Sequence, residues 1–311
     1  MRKTLIACAL TLALTACDRG ATPPDAGAAA TPVAAASQAD IAAETERLNQ
    51  WFEKKYEEQL QFSPIQLTFQ GRKDHYGKID DLSEKATLDQ VAWQKASVEE
   101  MEKTFDYAKL SDEAKLSYDL WKLQYENARD GVPFLADGYA FDQMNGAQSF
   151  LPTLLISFHK VDEESDYTAY ISRMKETSRA LDQLLERARK SAGQGVRPPK
   201  FAYEGVIDQS RKVITGAPFT DGPDSAIWAD AQAKADALVK SGKITAERAT
   251  ELKEEARKAL LEQFKPAYER VIAWAQEDLP NSPVNATGVG TTHANGKAYY
   301  EYQLRQMTTT N

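Results

Sequence analysis

Three histidines, His75, His159 and His293, are the side chains best suited to proton transfer or metal ligation in this sequence. None has another histidine within a helical turn, so the His-Glu-x-x-His arrangement that places two ligands on one helix face is absent. Each reads as a surface or capping histidine rather than a ligand. The stretch Gly290-Thr-Thr-His-Ala-Asn-Gly296-Lys297 invites a phosphate-loop reading and fails it twice. Five residues separate its glycines where four are required, and Ala298 stands where a metal-binding Ser or Thr belongs. Acidic pairs such as Glu57-Glu58, Glu99-Glu100 and Glu254-Glu255 fall on polar helix faces. Carboxylates doing acid or base work need burial or a close partner to tune them, and nothing in the pattern marks such a pair.

The two cysteines belong to the N-terminus. Arg2 and Lys3, the apolar run Leu5 to Leu14 and the small residues after it have the order of an export signal. The run is shorter than the ~20 apolar residues that span a bilayer. Leu14-Thr15-Ala16-Cys17 looks like a lipobox, which predicts cleavage before Cys17, lipidation of that residue and a periplasm-facing place in the cell envelope. More than one acyl chain makes such an anchor durable. With Cys8 removed and Cys17 acylated, no thiol remains for a disulfide, a nucleophile or a metal site. Residues 18–39, rich in Ala, Pro and Gly, read as a flexible linker, and residues 40–311 as one helical domain.

Loss of Arg2 and Lys3 leaves 36 basic against 46 acidic residues, a charge of −10. That balance argues against nucleic acid as a partner, which needs a basic footprint, and against electrostatic adhesion to anionic lipid. The membrane enters as a partner only through the lipid.

The elements that must position any site are helices, because the hydrophobic period is 3.6 almost throughout. Leu48, Trp51, Phe52, Tyr56 and Leu60 form one stripe; Leu88, Val91, Val98, Met101 and Phe105 form another. Ser111, followed by two acids, caps a third helix. Leu116, Leu120 and Leu123 lie on one of its faces, and Tyr118, Trp121 and Tyr125 on another, which predicts a central helix buried on both. Ser165 opens a long helix that stops before Gly193, Gly195 and Pro198-Pro199. Thr245 caps another, which Pro266 should bend. The pattern breaks at 131–152 and 280–302, and the second break could hold a short hairpin near 284–296 or a binding loop. The expected class is mainly α, a multi-helix domain with irregular loops.

Four stretches, in this order and spacing, resemble the bacterial family called domain of unknown function 885. They are Phe141-Asp-Gln-Met-Asn-Gly146 with Leu151-Pro152, then Gly195-Val-Arg-Pro-Pro199, then Pro266-Ala-Tyr268. The last is Gly296-Lys-Ala-Tyr-Tyr300, leading through Arg305 into Thr308-Thr309-Thr310. The resemblance implies a mostly helical fold and kinship with zinc peptidases whose metal helix lies beyond the triple-threonine run. This chain stops at that run, so the resemblance carries over neither catalytic residues nor metal ligands, and zinc is expected only in a longer form. What it does imply is a substrate-side role for Lys297, Tyr299, Tyr300 and Arg305, side chains able to donate hydrogen bonds beside a peptide. Two functions follow as expectations. One is the N-terminal, non-catalytic portion of a membrane-anchored, zinc-peptidase-like hydrolase, inert alone. The other is a self-sufficient helical lipoprotein that binds a peptide or partner protein.

Overall fold

A computed structural model describes residues 36–308. The export signal, Cys17, most of the linker and the run Thr309 to Asn311 lie outside them. Among the described residues the regular elements are all helices, with an isolated bridge between Ala217 and Asp224 as the one β-type pairing. No helix among them is long and apolar enough to cross a membrane.

Helix starts follow capping chemistry. Ser37 accepts from the Asp40 amide while Asp40 accepts from the Ser37 amide, a reciprocal pair that starts α1 (Gln38–Leu60) two residues ahead of the expected Asp40. Ser63 caps the short α2 (Pro64–Phe69), Ser83 caps α3 (Glu84–Thr104), and Ser111 caps α4 (Asp112–Gly131) as its sequence predicts. After an irregular stretch, α5 (Ala147–Thr153) runs into a π-helical turn, Leu154–Phe158. The long α6 (Glu164–Gly193) ends at the predicted Gly and Pro stop, followed by α7 (Lys200–Val213) and α8 (Ala226–Lys240). Thr245 caps α9 (Ala246–Ala259), as expected. The bend expected at Pro266 takes the form of a π-helical segment, Leu260–Phe264, joining α9 to α10 (Lys265–Asp278). The wider turn absorbs the backbone bond that proline cannot make. The hairpin considered for 284–296 is not formed. That segment holds a short helix, α11 (Val289–Thr292), ahead of α12 (Gly296–Thr308).

Two hydrophobic cores result. The larger surrounds α6, whose Tyr167, Tyr170 and Leu181 meet Phe264 and Tyr268 from the α9–α10 strut, all fully buried. The smaller is built by α1, α3 and α4 around Leu48, Trp51, Met101, Phe105 and Tyr118. The central helix is therefore α6. The expectation that α4 is buried on both faces is corrected: Leu116, Leu120 and Leu123 are 61%, 47% and 41% exposed. Only its Tyr118 and Trp121 side meets the smaller core, because no element of the described chain lies over the leucines.

Candidate functional site

The two breaks in helical pattern, far apart in sequence, meet in space. Where α4 ends at Gly131, α12 crosses close enough that a Cβ on that glycine would run into the Tyr302 hydroxyl. The approach lets Tyr302 donate to the Asn127 carbonyl, 3.2 Å away, and stack on Phe134 with ring centres 5.3 Å apart. Tyr299, one turn earlier on α12, packs beside Phe134 at 5.9 Å, with its hydroxyl over Gly138. Gly296 is as constrained, since a Cβ there would collide with the Val289 carbonyl. These glycines fix α12 against the end of α4 and leave a cleft of about 350 Å³. Its walls come from Gln90 and Gln94 of α3, Phe134 of the turn, Arg187 of α6, and Tyr299 and Tyr302 of α12. Two amides near this junction are unsatisfied, Gln94 through its Oε1 and Gln306 through its Nε2; buried polar groups normally find partners.

Behind Tyr299 lies His293. It is 9% exposed, and neither ring nitrogen has a hydrogen-bond partner. The buried Asp137 is its acidic neighbour, with 4.0 Å between Oδ1 and Nδ1. Burial pushes the imidazole pKa down, and the charge of Asp137 offsets part of that shift. One histidine and one carboxylate fall short of the about three protein ligands that hydrolytic zinc requires. Among the described residues, no three His, Cys, Asp or Glu side chains come together. His293 and Asp137 therefore do not by themselves fit a catalytic zinc.

Neither of the other histidines lines this cleft. His75, in the left-handed region at φ 54°, sits 2.9 Å from Gln61 Oε1. His159 is buried beside Arg173, a fully buried guanidinium. Arg173 donates from Nη1 to His159 Nδ1 at 3.1 Å, from Nε to the Lys78 carbonyl at 2.9 Å and from Nη2 to Thr68 Oγ1 at 2.5 Å. Because arginine can only donate, the His159 proton sits on Nε2, which donates to the Asp166 carbonyl at 2.9 Å. Burial, reinforced by the Arg173 charge, lowers the His159 pKa to about 3.

Of the four residues assigned a substrate-side role, Tyr299 alone lines the cleft. Lys297 extends into solvent beside Glu301 at 3.8 Å, and Tyr300 is 56% exposed. Arg305 reaches Asp130 at 3.4 Å and helps hold α12 to α4. Sequence reasoning missed Tyr302, Arg187, Gln94 and Asp137. The available signal was the pattern break carrying Gly131 and Gly138, the positions where α12 comes close.

A solved structure from Colwellia psychrerythraea, of a protein proposed to be a lipoprotein, has the same fold with a TM-score of 0.69 at 15% identity. The match covers 86% of this chain and 46% of that one, so the chain spans under half the neighbour's length. No curated protein matches the sequence. Residues 64–311 match the family described as bacterial protein of unknown function, DUF885, and with most of its length inside that match the chain belongs to that family.

Proposed function

We propose that this chain is the helical, non-catalytic N-terminal portion of a lipid-anchored envelope protein resembling zinc peptidases. In this reading Cys17 carries the lipid, the helical body faces the periplasm, and zinc belongs to a longer form. The observation that carries it is the neighbour's length: the matched region is 46% of that chain, so more than half of that chain lies outside the match. The cleft at the α4–α12 junction would then be a peptide-side surface, with Tyr299 as the residue common to sequence and structure. The test compares residues 18–311 with a longer protein containing the downstream sequence, for bound zinc and for hydrolysis of a quenched fluorescent peptide. Zinc and turnover are expected in the longer protein only. Stoichiometric zinc in residues 18–311, or its absence from an active longer protein, would overturn the reading.

The second reading is a binding lipoprotein that needs no further domain. It is favoured by the cleft itself, where Phe134, Tyr299 and Tyr302 offer aromatic surface to a bound chain. Tight peptide binding by residues 18–311, with no hydrolysis by any longer product, would select it.

A further inference from the structure

We infer that the cleft beside α12 binds the free C-terminal carboxylate of a short peptide, with Arg187 as its anchor. The inference rests on the peptide-handling reading above and names which part of a peptide is held.

Arg187 is half-buried and lines the cleft. Among the described residues its one hydrogen bond runs from Nη1 to the Leu82 carbonyl at a loose 3.3 Å, and no carboxylate of theirs lies within ion-pair distance. A second cleft, of about 420 Å³, is lined by Arg72, Lys73, Lys160, Tyr76 and Phe158, and two of its three cations are already paired. Glu57 and Asp74 hold Arg72 at 2.8 and 3.0 Å, while Asp162 and Asp166 hold Lys73 at 3.0 and 2.7 Å. Lys160 is unpaired but exposed, so among the described residues Arg187 is the half-buried uncommitted cation of the two clefts. A guanidinium presents a planar fork that matches a carboxylate bidentately.

The rest of the wall specifies what is attached to that carboxylate. Phe134, Tyr299 and Tyr302 offer ring faces for an apolar or aromatic side chain. The volume lies at the small end of ligand sites, sufficient for two or three residues. A bare phosphate would meet Arg187 but leave the rings unused.

The experiment titrates the purified full chain with the tripeptide Ala-Tyr-Ala by calorimetry, alongside its C-terminal amide and inorganic phosphate. The free acid is expected to bind at least about tenfold more tightly than the amide, which lacks the charge. Arg187→Gln should abolish that preference, and Arg187→Lys should restore part of it. Equal binding of acid and amide, binding of phosphate alone, or no binding would overturn the assignment. Should Arg187→Gln fail to fold, the acid and amide comparison on the unaltered chain decides by itself. A longer protein that hydrolyses peptides while this chain ignores the C-terminal carboxylate would sink the Arg187 anchor and leave the proposed function standing.

Discussion

The body around α6 and the unit of α1, α3 and α4 are made of the same amphipathic helices and bury them to different depths. α6 is covered on most sides, and even Arg173 is fully enclosed. In the smaller unit α4 buries Ala114 and Tyr118 while presenting three leucines to solvent. Aromatic edges hold that unit together: Trp51 meets Trp121 at 5.6 Å and Phe105 at 5.9 Å. Polar contacts at its rim add to this, the Trp51 indole donating to Glu100 at 2.7 Å and Lys55 pairing with the same carboxylate at 2.9 Å. A 3.6-residue period therefore announces a helix with an apolar face, and only the neighbours decide whether that face becomes core.

Three measurements sharpen or break that contrast. The largest effect is expected from Phe264→Ala, in the deepest part of the body, which should lose about 3–5 kcal/mol in urea denaturation. A loss below about 1 kcal/mol would mean the body is loosely packed and the contrast false. Next comes acid. The folded His159 resists protonation down to about 3, whereas in the unfolded chain it titrates near 6.5, so the unfolded state takes up the proton first. Stability should be unaffected by this group above pH 7 and fall by about 3 kcal/mol between pH 6.5 and 4. His293, also shifted down, adds in the same direction. His159→Gln can accept from Arg173 and donate to the Asp166 carbonyl, and should flatten that slope; an unchanged slope would remove His159 as its source. The smallest effect is expected from Leu120→Gln, within about 0.5 kcal/mol, because the side chain is already wet. A loss above about 2 kcal/mol would show that something covers the α4 leucines in solution.

The same contrast marks what the sequence could reveal. Ser111, Thr245 and the Gly193 to Pro199 stop act within one turn of chain, and each falls where its residue type predicts. The covered face of α4 depends on partners elsewhere in sequence, and the leucines were misplaced for that reason. Tyr299 and Tyr300 illustrate the limit within one helix. Both have the right chemistry, but a step of one residue turns the side chain by about 100°, and the first faces the cleft while the second faces solvent. Arg187 and Gln94 carry no local signal at all, since each reads as a polar residue on a solvated helix face. Their meeting with α12 depends on the close approaches at Gly131 and Gly296.

The π-helical segment Leu260–Phe264 works as a phase shifter. The extra residue in that turn sets the apolar stripe of α10 about 100° out of step with that of α9. One strut can then serve two partners, α8 along its first half and α7 along its second, while both halves keep α6 beneath them. Residue count there is a structural parameter in its own right. Removing a single position from 260–264 would bring the two stripes back into line and swing one half of the strut away from its partner, with every remaining side chain still of the correct type.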